Sequence, residues 1–190
     1  MIYRVLAVVV TAVAVVAGTA ALGALTGVAW AAAAPRALVM VVGRGSAEVV
    51  NPETSAFIAA DGWFALLTVI GGIISGVLGY ALAVRRHGAP AMAAVLAGGV
   101  AAPLLARWVG QQFGTAAFNS ALAAGRVGML LHAPLVLGGT GALAFWALAA
   151  GLTAGGIEAA TLIRERQAAR ARVPSQRRAP VTGAEGAPGP

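Results

Sequence analysis

Apolar residues fill four long stretches of the chain, roughly Val5–Trp30, Gly62–Val84, Ala89–Trp108 and Leu130–Leu152. Each reaches or exceeds the ~20 residues that a helix needs to cross a ~30 Å hydrocarbon core. The pattern predicts an all-α membrane protein, an antiparallel bundle of four transmembrane helices within residues 1–172. Residues 173–190 are rich in Pro, Gly and Arg, and predict a disordered cytoplasmic tail.

The polar breaks between these stretches differ in character. After Pro35, Ala37–Val42 and Ala47–Val50 are β-prone and flank a turn-prone Gly43-Arg44-Gly45-Ser46, which predicts a short extracytoplasmic hairpin-like loop. An isolated hairpin is marginal in water, so it should pack on the bundle or on a partner. Thr54 or Ser55 is placed to cap a helix that runs through Phe57, Ile58 and Trp63 into the second span. Arg85–Gly88 is so short a turn that spans two and three must be antiparallel neighbours. Gly110–Met129 mixes Phe113, Phe118 and Leu122 with Gln111, Gln112 and Asn119, as in a short interfacial helix. Trp30 reads as an interface anchor at the end of span one. Pro103 lies within span three, where it removes a backbone donor.

Charge fixes the expected orientation. All 13 basic residues are Arg, against six Asp and Glu. Arg4, Arg85, Arg86 and the six Arg from Arg164 to Arg178 lie on one side of the expected bundle. Arg36, Arg44, Arg107 and Arg126 lie on the other. This positive-inside bias puts both termini in the cytoplasm of a multi-pass inner or plasma-membrane protein. A secretory signal peptide is the rival reading of the first stretch, with Arg4 before it and small residues at Ala29–Ala34. Its apolar run is about twice a 7–15-residue h-region, which favours an uncleaved span. The net charge of +7 does not imply nucleic acid, because its excess sits in the tail. There Arg164, Arg166, Arg170 and Arg172 are candidate contacts for anionic lipid.

Within span two, Gly72-x3-Gly76 and Gly71-x3-Ser75-x3-Gly79 clear one helix face and let another backbone approach. Such rows pack helices within one copy or between copies, and packing within one copy is the simpler reading.

The Trp30-x4-Pro35 pattern and the Ala59-Ala60-Asp61-Gly62-x-Phe64 entry to span two carry a family likeness. Over roughly Gly23–Gly114 the chain resembles a family of actinobacterial four-span membrane proteins grouped as a domain of unknown function. The Ala-, Gly- and Arg-rich, Lys-free composition points to the same kind of high-GC source. The resemblance implies the four-span fold and carries no activity with it.

Chemistry-bearing residues are few. There is no Cys, and His87 and His132 are the only two His, so thiolate chemistry is excluded and no metal centre or cofactor is expected. Asp61 begins span two and Arg107 ends span three, at similar depth. They predict either an ion pair fixing the helix ends or, with Arg126, His132 and Gln111, an anion or lipid-headgroup site. No charge lies near the centre of any span, which argues against an ion-coupled transporter. No phosphate loop, nucleophile elbow or HExxH helix is present. The leading expectation is a non-enzymatic membrane protein that assembles with itself or with an envelope complex. The alternative is a small transporter, channel or lipid-binding protein with a polar mouth at Asp61, Arg107, Arg126 and His132. A polar cavity reaching past Pro103 favours the alternative, and a dry, closed bundle favours assembly.

Overall fold

The computed structural model describes residues 2–52 and 55–176. Its elements in order are α1 (Ile2–Ala33), β1 (Leu38–Gly43), β2 (Ser46–Val49), α2 (Ala56–Gly79), a π-helical turn (Tyr80–Val84), α3 (Arg85–His87), α4 (Ala89–Gln112), α5 (Thr115–Ala124), β3 (Leu130–His132), a 3-10 turn (Thr140–Leu143) and α6 (Ala144–Gln176). Four helical stretches, Val5–Ala33, Ala56–His87, Ala89–Ala124 and Thr140–Arg170, are long and apolar enough to cross a membrane. The chain divides into two compact units, residues 1–155 and residues from Gly156 on.

In the first unit, backbones meet at small residues. Gly23 and Gly27 of α1 lie directly against the Ala102 and Ala106 carbonyls of α4, closer than any β-carbon permits. One turn either way, Thr19 faces Gly98 and Trp30 covers Gly110. Thus α1 and α4 interlock along two rows of four-residue spacing, which holds small side chains on one helix face. The second close pair joins α2 to α6. A β-carbon on Gly71 would meet the Trp146 ring at 2.5 Å, one on Gly72 the Trp146 carbonyl at 2.6 Å, and one on Gly76 the Ala150 carbonyl at 2.7 Å. Gly79 receives Val95 of α4, and Gly99 of α4 receives Ala147 of α6. The span-two glycines therefore face α6 and α4 of their own chain.

Two buried tryptophans anchor these contacts. Trp146 donates its indole N–H to Ser75 Oγ at 3.1 Å, and Ser75 donates to the Gly72 carbonyl at 3.0 Å. Trp30 is fully buried rather than an interface anchor. Its indole N–H donates to the Ala60 carbonyl at 2.8 Å, and its ring meets Phe64 edge-on at 5.0 Å. An indole buried with its one polar atom satisfied is a core residue. Trp146→Phe should lower stability by more than about 1 kcal/mol, the net worth of one neutral hydrogen bond plus the cost of the vacated ring volume. Thermal unfolding in detergent measures this, and an unchanged midpoint would rule out the Ser75 bond as a support.

The expected hairpin is present, but as part of a sheet of order β2-β1-β3. β1 pairs antiparallel with β2 in the register Val39↔Val49, Met40↔Glu48 and Val41↔Ala47, with a shift before Gly43↔Ser46. On its other edge it pairs with β3 as Leu38↔His132, Val39↔Leu131 and Met40↔Leu130. Val39 and Val41 turn inward and are buried, while Leu38, Met40 and Val42 are exposed. That alternation is what a one-sided sheet requires.

The start of the fourth span is a correction. Leu130–His132 is a strand, residues 133–139 form neither helix nor strand, and helix begins only at Thr140–Ala144. Pro134 disfavours helical backbone at Ala133. Gly138, Gly139 and Gly141 are poor helix formers. In this irregular segment Leu135 and Leu137 are buried and Val136 is exposed, a period-two alternation. They join Trp30, Phe64 and Ala106 in the core near the sheet.

Elsewhere the expected punctuation is visible. Gly88, at φ +64°, turns the chain between α3 and α4, a left-handed position that favours glycine. Ser55 stands at the start of α2 but makes no side-chain capping bond, and Thr54 lies outside the described residues. α5 occupies the amphipathic stretch between the third and fourth spans. α4 continues through a fully buried Pro103.

In the second unit, helical backbone extends past Val173 to Gln176, and the remainder of the expected tail, residues 177–190, lies outside the described residues. Arg164, Arg166 and Arg170 are exposed, and the Arg172 side chain is outside the description.

Candidate functional site

Asp61, His132, Arg36 and Arg126 lie towards the end that carries the sheet and α5, while Arg85, Arg86 and His87 form the turn at the other end of α2 and α4. Those at the sheet end fall into separate groups. Asp61, in the second turn of α2, accepts a hydrogen bond from the Gly138 N–H on Oδ1 at 3.1 Å and from the Gly139 N–H on Oδ2 at 2.8 Å. The sequence pattern pointed instead to Arg107 as its partner. The difference follows from the late start of α6. In a helix begun at Leu130, the amides of residues 138 and 139 would be bonded inside the helix. Outside a helix they need another acceptor, and a two-oxygen carboxylate supplies two. Both glycines permit the approach, since a β-carbon would stand 3.1 Å and 3.3 Å from Asp61 Oδ2.

His132 lies elsewhere, at the rim of a cavity of about 210 Å3. Arg36, Gly114, Ala117, Phe118, Leu131 and Pro134 complete most of its wall, and none of Asp61, Arg107 and Arg126 lines it. Arg36 was not among the residues singled out from sequence. Its signal was its position directly after Pro35, where the first span ends and leaves carbonyls without partners. Its Nη2 donates to the Ala31 carbonyl at 3.3 Å, so it closes the end of α1. Its other guanidinium nitrogen, Nη1, reaches 3.2 Å from where a Gly114 β-carbon would stand.

Three sequence candidates remain apart from this cavity. Arg107 is half-buried on α4. Arg126 is exposed in the turn before β3, where its carbonyl accepts from Met129. The Gln111 carbonyl accepts from the Thr115 hydroxyl. Among the described residues, no three His, Asp or Glu side chains gather where they could hold a metal ion.

A second, larger cavity of about 560 Å3 is a groove between α1 and the end of α2 with its π-helical turn. Val10, Ala14, Leu22, Ile74, Leu78 and Leu82 give it apolar walls, and Ser75 lies in its lining. Gly18 is also in the lining, and a β-carbon added there would meet no atom within 4 Å, so the groove is open at that point.

Four buried hydroxyls of the helices are satisfied locally, whereas His87 Nδ1 in α3 is buried with no hydrogen-bond partner among the described residues. Thr19, Thr26, Thr68 and Ser75 donate to the carbonyls of Val15, Leu22, Ala65 and Gly72. The architecture thus defines a class, that of multi-pass helical proteins whose four apolar helices suit a membrane. No family model, curated protein or solved structure matches this chain.

Proposed function

We propose that the protein is a non-enzymatic cell-membrane protein that assembles laterally, with a second copy or with a membrane partner. Both termini face the cytoplasm, and the sheet and α5 face outward. The observation that carries this reading is the uneven covering of the four helices. Only 6% of the most apolar window of α1 is buried, against 50% for α2 and 44% for α4. The exposed part of α1 borders the groove, where Ala14, Gly18 and Ala21 are small enough to let another helix approach closely. The closed interior supports the same reading. Its buried hydroxyls Thr19, Thr26, Thr68 and Ser75 bond helix carbonyls, and Pro103 is fully buried.

The test is extraction in a lipid-preserving polymer followed by native mass spectrometry. A stable second copy or second protein is expected. A β-carbon at Gly18 meets no atom within 4 Å, so Gly18→Leu fills the open part of the groove without forcing backbones apart, and should disperse that assembly without lowering the thermal unfolding midpoint. A lone monomer carrying a recurrent lipid or small molecule would overturn assembly in favour of lipid handling or transport. The cavity at Arg36 and His132 is what favours that second reading.

A further inference from the structure

We propose that the free edge of β2 docks an extended strand of a partner protein, one that sets a basic residue opposite Glu48. Backbone parity comes first. The Val50 N–H donates to the Leu38 carbonyl at 3.0 Å. Alternation along an antiparallel ladder then turns the Glu48 backbone groups towards β1, and those of Ala47 and Val49 away from it. The far side of β1 has the matching parity. There Val41 donates to the Met129 carbonyl at 2.9 Å and accepts from the Gly128 N–H at 2.8 Å. β2 is the last strand of the sheet. Among the described residues, nothing bonds the N–H and C=O groups that Ala47 and Val49 turn outward. Donors and acceptors repeated at every second residue are what another strand pairs with.

Side chains decide which strand fits. On the exposed face of the sheet, Glu48 stands beside Met40, and Leu130 lies on the other side of Met40. Val50 stands beside Leu38. Glu48 and these four apolar side chains are all exposed. The Glu48 carboxylate has no hydrogen bond or ion pair among the described residues. On the free edge, Glu48 falls between the two bonding residues. That makes it one half of a non-hydrogen-bonded pair, where facing side chains come closest. Opposite charges stabilise such a pair, and like charges destabilise it. Two copies of β2 paired symmetrically about this position would set Glu48 against Glu48. The carboxylate therefore turns away a second copy. It admits a different chain with Arg or Lys at that place and an apolar residue two positions along, which covers Val50. Nothing in this proposal rests on the α1 groove, so the edge and the lateral assembly can each fail alone.

The test uses the full chain in detergent. The probe is a short synthetic strand with Arg at its centre, Val two residues to either side and Thr between. Hydrogen exchange at the Ala47 and Val49 amides reads the docking, and both should slow as the strand is added. The same strand with Glu in place of Arg should bind about fivefold more weakly, and Glu48→Lys, at an exposed position, should reverse that preference. N-methylation of the two Thr amides should abolish the protection, because the bonds are made by backbone. Gly18→Leu should leave it unchanged. No slowing with either strand, or slowing that ignores the charge exchange at Glu48, overturns the proposal. Protection already present in the purified chain and lost on dilution would assign the edge to a second copy. Protection given by phosphatidylglycerol vesicles and not by the strand would assign it to lipid. Either result overturns the proposal too.

Discussion

Leucine at Gly27 should strongly destabilise the bundle. A β-carbon at Gly27 would run into the Ala106 carbonyl, and it would stand 3.0 Å from Val109 Cβ. Backbone cannot give way as a side chain tip can, so α1 and α4 must separate. Separation also lifts Trp30 from Gly110, one turn further along. Overpacking alone costs about 1–3 kcal/mol. Strain on the Trp30 bond to Ala60 adds about 1 kcal/mol. Together these are a large part of the ~5–15 kcal/mol that holds a typical protein folded. The expected result is a broad or absent unfolding transition in detergent and loss of the monodisperse species on size exclusion. Gly18→Leu is the matched control, since a β-carbon at Gly18 meets no atom within 4 Å and the side chain points into the open groove. If both variants unfold like the native chain, the α1–α4 contact is not what holds the bundle.

Removing the Asp61 carboxylate should free the segment that leads into α6. Asp61→Ala leaves the Gly138 and Gly139 amides without their acceptor. Hydrogen bonds to a charged group contribute about 1.5–3 kcal/mol each when well sheltered. These are partly exposed, so a combined loss of about 2 kcal/mol is expected. Asp61→Asn keeps one carbonyl acceptor and should lose about half of that. Hydrogen exchange at residues 138 and 139 reports the effect directly, with faster exchange in Asp61→Ala. Arg107→Gln should leave that exchange unchanged. The opposite pattern, protection lost in Arg107→Gln and kept in Asp61→Ala, would return Asp61 to the ion-pair reading.

Much of the helical frame was legible because apolar length is a coarse, strong signal. The second and third spans, the hairpin at Gly43–Ser46 and the Arg85–Gly88 turn all lie where pattern and turn chemistry place them. The fourth span was not legible at its start. Leu130–Leu137 is apolar whether it forms a helix or an extended run, and such a run reads alike in both states. Only pairing with β1, remote in sequence, decides for strand. That one misreading propagated to the site. It hid the free amides of Gly138 and Gly139, and so left Arg107 as the natural partner for Asp61.

Two further features were visible in hindsight but not distinctive. Gly23 and Gly27 oppose Ala102 and Ala106 at a regular spacing of four. In a chain with 26 Gly and abundant Ala, such rows occur on several faces, and sequence cannot say which one meets a neighbour. Arg36 looked like one of four basic residues on the outer side. Its juxtaposition with α5 depends on the end of α1, the sheet and the left-handed Gly114 together.

The middle strand carries a consequence for biogenesis. β1 is made early, but its second neighbour, Leu130–His132, is separated from it by α2, α4 and α5. While a ribosome is still producing those helices, one edge of β1 has no partner, a state that invites pairing with foreign strands. The sheet is completed only once the chain has returned to this end of the bundle. β3 therefore acts as a late latch, tying the proof of correct threading to a three-residue strand.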